Sequence, residues 1–300
     1  MANPGGVLIA GRNGQVALEL ARAFAARAQP FLALGRSELD LADSATVEKT
    51  VVALRPAIVV NAAAYTAVDM AEDQPELATA INAIGAGCLA RSAYRVGAPI
   101  IHISTDYVFD GSKPAPYVET DATSPLGIYG ASKLEGERLV ADANSRHVIL
   151  RTAWVFSPHG HNFVKTMLRL GREREEIGVV ADQKGAPTSA ADLADAVVAL
   201  TDKILGAPDR SDQYGIFHAV NSGATTWYGF ASAIMSGARR RGSKTAHINA
   251  IATADFPTRA RRPANSILDA SKLLSVHGIV LPAWEEALEH CLDDLIIQPN

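Results

Sequence analysis

Residues Val7–Ala10 form an unbroken apolar run that ends at Gly11. The Ala- and Leu-rich stretch Gly14–Arg27 follows directly. A short apolar run without polar alternation suits a strand buried on both faces, and the stretch after it has the composition of a helix. The same alternation recurs along the first half of the chain. Phe31–Leu34, Ala57–Asn61, Ile100–Ser104 and Val148–Leu150 are strand-like. Thr46–Leu54, Pro75–Val96 and Tyr129–Ala141 are helix-like. Strand–helix alternation implies a parallel sheet covered by helices on both faces. The predicted fold class is therefore α/β, a Rossmann-type doubly wound parallel sheet. Open sheets of this kind bind ligands at the carboxyl ends of their strands.

After Arg151 the pattern is less regular. Asn162–Arg172, Ala190–Leu205, Thr226–Gly237 and Trp284–Leu295 read as helices, and Ile177–Val180 as a strand. Pro- and Gly-rich loops lie between them. The expected organisation is a nucleotide-binding domain over 1–151 and a smaller, mainly substrate-binding domain over 152–300, with some segments returning to the first domain. Gly111–Gly127, with its glycines and prolines, has the composition of a lid.

Composition excludes several functions. At 300 residues with 48% hydrophobic residues, the chain can bury a sizeable core and does not resemble a disordered one. Its apolar runs are too short to span a bilayer, and the N-terminus has no basic region followed by an apolar one, so no membrane partner is expected. The formal net charge is −4, which offers no electrostatic attraction to nucleic acid. Arg239-Arg240-Arg241 reads as a solvated helix end. Cys88 and Cys291 stand alone, giving neither a disulfide framework nor metal spacing and suggesting a reducing, cytoplasmic setting.

The candidate site lies at the strand ends. Gly11 and Gly14 sit between a strand and a helix, where glycine permits a tight turn and close approach to a pyrophosphate. The helix N-terminus then offers free N–H groups to the phosphates. Gly11, Asn13, Gly14, Gln15 and Val16 are the candidate contacts. A third glycine of the usual fingerprint is missing at Val16 and Ala17, although Ala17 is small enough for close packing. After the second strand, Arg36 occupies the place where an acid would favour NAD. A cation there can pair with a 2′-phosphate, so NADPH is the expected cofactor with NADH possible; alternatively Arg36 is a surface residue. Asp40 and Leu41 could hold the adenine or form a turn. After the third strand, Ala62–Ala64 leave room for a flat ring, making Ala63, Ala64, Tyr65 and Thr66 candidate contacts. On the fourth strand Ile103 is another, and Thr105 and Asp106 follow at its end. Tyr129 and Lys133 share one helix face.

These pieces, in this order, resemble the extended short-chain dehydrogenase/reductase superfamily. Longer strings resemble one branch, the dTDP-4-dehydrorhamnose reductases. They are "GQV" from Gly14, "NAAAYTAVDMAE" from Asn61, "STDYVFDG" from Ser104, "ETDATSPLGIYGASKLEGE" from Glu119, "RTAWVF" from Arg151, "NFVKTMLRL" from Asn162, "DQKGAPT" from Asp182, "TTWYGFA" from Thr225 and "RRPANS" from Arg261. The resemblance covers nearly the whole chain.

It implies reduction of the C4 ketone of a dTDP-4-dehydro sugar by NADPH. Tyr129 is then the proton donor, Lys133 lowers its pKa and holds the nicotinamide ribose, and Thr105 polarises the carbonyl oxygen. Asp106 has no adjacent glutamate, unlike the carboxylate pair of related dehydratases, so it is read as a ligand for a sugar hydroxyl. Trp154 is implied to pack on the sugar, with a core tryptophan as the competing reading. Arg262 is a candidate for the substrate diphosphate. Asn162 and Thr188 either line the substrate mouth or cap helices.

His159 and His161 read as a solvated loop. Some members of the branch are metal-bridged dimers held by acidic side chains, but Ala190-Ala191 stands where they carry a glutamate. No metal is assigned, and the chain is expected to be a monomer or a homodimer. The competing functions are a non-catalytic, dinucleotide-binding regulatory subunit, or an epimerase or reductase of another nucleotide-keto-sugar.

Overall fold

The computed structural model describes residues 5–206 and 210–297. In the first half, β1 (Val7–Ala10) leads to α1 (Gln15–Ala26), β2 (Phe31–Leu34) to α2 (Ser44–Leu54), and β3 (Ile58–Asn61) to α3 (Val68–Ala71). Then come α4 (Pro75–Thr79), a π-helical segment over Ala80–Gly85, α5 (Ala86–Arg95), β4 (Ile100–Thr105), α6 (Ile128–Ala143) and β5 (His147–Thr152). The predicted strands and helices of this half are present within about two residues of their expected ends.

The helix expected over Pro75–Val96 differs in its middle. There the chain widens into π-helix, and Asn82 faces inward. α6 crosses this segment so closely that a Cβ at Gly136 would lie 2.0 Å from the Asn82 carbonyl oxygen.

The main sheet has six parallel strands. The sixth comes from the second half of the chain and was not foreseen. In order, that half contains β6 (Val155–Phe156), α7 (Phe163–Glu173), β7 (Glu176–Val180), β8 (Lys184–Gly185), β9 (Thr188–Ser189), α8 (Ala190–Gly206), β10 (Gly215–His218), β11 (Thr225–Thr226), α9 (Trp227–Arg240), β12 (His247–Ile251), α10 (Ser271–His277) and α11 (Trp284–Ile296). The sheet order is β10-β5-β4-β3-β1-β2. The chain switches direction across the sheet between β1 and β3, and ligands bind open α/β sheets at such a point.

One core cluster joins the sheet to α1 and α8, through Leu20, Phe24, Leu193 and Val197. Another joins it to α2 and α5, through Val47, Val51 and Leu89. A third cluster is built from the second half alone, with Phe156, Met167, Phe230, Ile234, Trp284 and Leu292. β12 pairs with β7 at its edge.

Two regions gain detail. Arg241 is only 9% exposed in its side chain and pairs with Glu289 and Asp293 of α11. Arg239 and Arg240 are exposed at the helix end as expected, and Arg241 is an ion-paired clamp between two helices. The Gly111–Gly127 loop is fastened to the body. Tyr117 N–H donates to the Ile267 carbonyl and the Tyr117 carbonyl accepts from Asp269 N–H, both at 2.8 Å. Glu119 accepts from His218 N–H at 2.9 Å. Among the described residues no helix is long and apolar enough to cross a membrane.

Candidate active site

The carboxyl ends of β1 to β5 open into a cleft of about 750 Å³. That volume is in the range of cofactor and substrate sites. At its floor, Gly11 has φ 106°, a conformation open to glycine, and a Cβ there would press on the Ala62–Ala63 backbone at 3.2 Å. Gly14 caps α1 without any side-chain cap, so the free N–H groups of the first turn face the cleft. A Cβ at Gly14 would meet nothing within 4 Å. An uncapped helix start beside open space is a fitting cradle for a pyrophosphate.

Gln15 is held on this wall. Its Oε1 accepts from Ser157 Oγ at 3.0 Å and from Asn162 Nδ2 at 2.8 Å. Asn162 also caps α7 by accepting from Lys165 N–H at 3.1 Å. Both readings of Asn162 therefore apply, since it lines the cleft and caps a helix.

One end of the cleft lies beyond β2. Arg36 and Arg12 both border it. Arg36 pairs with Asp40 at 3.1 Å, and Arg12 with Glu38 at 2.7 Å. The Asp40 Oδ1 accepts from Ala42 N–H at 2.9 Å, the turn role foreseen as its alternative. Leu41 is buried and contributes an apolar wall.

At the other end, Ala63, Ala64, Tyr65, Thr66 and Ile103 line the cleft, as does Val16. Asn82 clamps the Tyr65 peptide. It accepts from Tyr65 N–H at 2.8 Å and donates to the Tyr65 carbonyl and to Ser132 Oγ, each at 3.0 Å. The π segment thus positions a cleft wall, a common role for such insertions.

Thr105, Tyr129 and Lys133 converge on the same wall. The Tyr129 phenol stands beside the Thr105 hydroxyl on this wall. Thr105 Oγ1 donates to Asp106 Oδ1 at 3.0 Å and accepts from Tyr107 N–H at 3.2 Å. The Tyr129 ring meets Tyr107 edge-on, with centroids 5.8 Å apart. Burial pushes the Tyr129 phenol up to about 12, with Thr105 opposing and the Asp106 charge reinforcing.

That corrects the expected lowering by Lys133. The lysine Nζ donates to the Ile103 carbonyl at 2.6 Å and lies 3.4 Å from His102 Nε2. Burial also pulls Lys133 down to about 8, against the pull of Glu137. At neutral pH the site thus presents a neutral phenol beside a mostly charged amine.

Asp106 is 2% exposed. Its Oδ2 makes no hydrogen bond among the described residues. Burial raises its carboxyl to about 6, partly offset by the Ser266 and Thr105 hydroxyls. Thr152 Oγ1, on β5 beside Thr105, is also buried without a partner among the described residues and borders the cleft. Trp154 is at the cleft edge with φ 48°, stacked on Trp227 at 3.6 Å, with Gly185 against its ring. It is packed on one side and bears on the cleft on the other.

Two predicted substrate residues lie elsewhere. Thr188 is wholly buried in β9, pairs with Val155 of β6, and donates to the Ala186 carbonyl at 3.3 Å. It does not line the cleft. Arg262 is turned away to α3, where it grips both Asp69 oxygens at 2.8 and 3.1 Å. That contact holds the Asp69 carboxyl below its ordinary value.

Sequence reasoning missed Arg12, Thr152, Trp227 and His161 on the cleft wall. Thr152 follows the apolar β5 run as Thr105 follows β4, and the same strand-end rule identifies it. It also missed the buried support behind the wall. Glu137 receives Arg151 at 2.7 Å and Ser104 at 2.5 Å. His159 lies 3.2 Å from Glu19. Among the described residues no cluster of His, Cys, Asp or Glu is arranged to hold a metal ion.

A doubly wound sheet, a glycine turn at its switch point and a Thr–Tyr–Lys set at the strand ends define a dinucleotide-dependent oxidoreductase of the extended short-chain type. Comparisons place it within that class. The family model described as the RmlD substrate binding domain matches residues 5–297. A dTDP-4-dehydrorhamnose reductase of Sinorhizobium fredii is 46% identical, over 97% of each chain. A crystal structure of a dTDP-4-dehydrorhamnose reductase from Clostridium acetobutylicum superposes with TM-score 0.90 and 39% identity, covering 96% of this chain and 99% of that one. One from Bacillus anthracis, in complex with NADP, gives TM-score 0.89 and 39% identity, covering 97% and 99%. The chain belongs to the dTDP-4-dehydrorhamnose reductase family.

Proposed function

We infer that this chain uses NADPH to reduce the C4 ketone of dTDP-4-dehydro-β-L-rhamnose, giving dTDP-β-L-rhamnose for cell-envelope polysaccharide. The observation that carries the reading is the convergence of Thr105, Tyr129 and Lys133 on the wall of a cleft of dinucleotide size. Family membership supplies the substrate.

NADPH, when bound, supplies the hydride. The α1 N-terminus and Gly11–Gly14 hold its pyrophosphate, and Arg36 and Arg12 suit a 2′-phosphate. Lys133 holds the nicotinamide ribose hydroxyls. Thr105 turns its one hydroxyl proton from Asp106 to the substrate carbonyl oxygen and polarises it. Tyr129 gives its proton to that oxygen as C4 receives the hydride, and the sugar leaves as an alcohol. A phenol held at about 12 keeps its proton at neutral pH until an alkoxide develops beside it. Asp106 Oδ2 takes a hydroxyl of the hexose, which provides the donor it lacks. Trp154 packs on the sugar face.

The test mixes purified protein with dTDP-4-dehydrorhamnose and either NADPH or NADH, following the nicotinamide absorbance. Loss of absorbance, faster with NADPH, is expected. No loss with either cofactor would overturn the reading and leave a regulatory role.

A further inference from the structure

His102 is held in one tautomer by its neighbours. It lies on β4, 1% exposed, behind Lys133. Asn61, at the end of β3, sets the direction of the hydrogen bonds. Its Oδ1 accepts from Ala63 N–H at 3.2 Å, so the atom that meets His102 Nδ1 at 2.9 Å is its Nδ2. An amide NH₂ only donates, and a neutral imidazole has one donor and one acceptor nitrogen. Nδ1 is therefore the acceptor, and the ring proton sits on Nε2. An imidazolium is excluded by the same contact, because Nδ1–H would face N–H.

Nε2 lies 3.4 Å from Lys133 Nζ. The Nζ already donates to the Ile103 carbonyl. An ammonium has three donors and no acceptor, so it meets Nε2–H donor to donor. A neutral amine instead offers its lone pair to that proton.

We propose that His102 is a positioning residue for the Tyr129–Lys133 pair: locked by Asn61 as the Nε2–H tautomer, it presents a donor to Lys133 Nζ and favours the amine over the ammonium. The proposal rests on the reductase reading of this site, although its first test needs no turnover.

The other groups around Lys133 fit this role. On α6, Glu137 pulls toward the ammonium, but Arg151 of β5 and Ser104 of β4 share its carboxylate. Tyr129 is a neutral phenol, and Asp106 lies beyond Thr105. His147, at the start of β5, adds its own weak repulsion to any charge on His102. Burial acts in the same sense, taking Lys133 down to about 8 and His102 well below its ordinary value. The reaction then acquires an alkaline limit near the lysine's lowered value, as Lys133 loses the charge that holds its ligand.

The test is ¹⁵N NMR on histidine-labelled protein, with and without NADP⁺, with His102→Gln to assign the resonance. An Nε2-protonated neutral ring is expected throughout the neutral range. An Nδ1-protonated ring, or an imidazolium there, overturns the proposal.

Asn61→Asp places an acceptor opposite Nδ1 and reverses the tautomer, so that Nε2 accepts from Lys133. The alkaline limb of single-turnover hydride transfer should then move up by about one pH unit. His102→Gln, whose amide oxygen can turn toward Nζ, should move it the same way. A limb that stays in place in both variants overturns the proposal. Failure of the reductase reading is distinguished by an absence of NADPH oxidation in the wild-type protein, whatever the tautomer.

Discussion

In the Asp106→Asn variant, substrate binding should weaken while the protein becomes more stable, and the gain should depend on pH. The carboxyl is buried in the cleft wall with Oδ2 unpartnered, and it is raised from 3.8 to about 6. A shift of roughly 2 units at about 1.4 kcal/mol per unit makes the ionised group cost the fold about 3 kcal/mol. Below pH 3.8 the carboxyl is protonated in both folded and unfolded chains, so the charge costs nothing. Between 3.8 and about 6 the unfolded chain ionises first, and wild-type stability falls as pH rises. Above about 6 both states are ionised and the whole penalty remains. The amide has no such window. Urea unfolding of both proteins at acid and at mildly alkaline pH reads the difference. The variant's advantage should widen by about 2–3 kcal/mol over that range and appear as several degrees in Tm. The KM for the keto-sugar should rise in parallel. An advantage that is constant with pH, or that narrows as pH rises, would refute the argument that Asp106 is an uncompensated charge kept for a ligand.

Tyr129→Phe should lower turnover by about 10²–10⁴-fold while NADPH affinity, read by fluorescence titration, stays near wild type. Arg36→Asp should shift kcat/KM toward NADH by roughly tenfold or more, the worth of a charged hydrogen bond to phosphate; an unchanged ratio sinks the 2′-phosphate assignment. Glu137→Ala strands the buried Arg151 guanidinium and should cost about 3–5 kcal/mol in urea unfolding. A loss below about 1 kcal/mol would mean that solvent reaches Arg151.

What could be read from the chain depended on how local the information was. β1 to β5 are largely apolar runs, and Gly11, Thr105 and Tyr129 stand where those runs end or a helix begins, so these parts of the cleft wall are legible in the sequence. β10 was not, because Ile216 and Phe217 are a short apolar pair within polar loops, and only the exposed edge of β5 makes them a strand. The π segment keeps the composition of an ordinary helix, so Asn82 gave no sign that it faces Tyr65 and Ser132. Thr188 reads as a mouth or helix-capping residue; its pairing with Val155 in a two-stranded sheet buries it. Arg262 was chosen for its chemistry, and its partner Asp69 lies 193 positions away. The Lys133 contacts failed for the same reason. The helical spacing to Tyr129 is visible, but the His102 and Ile103 contacts come from β4, 31 and 30 positions earlier.

Isotope transfer from [4,4-²H₂]NADPH to the sugar tests the central claim most directly. The account predicts dTDP-rhamnose one mass unit heavier, with deuterium at C4 by NMR and one NADPH consumed per product formed. Label at another carbon, or a C4 epimer formed without net NADPH oxidation, would contradict it.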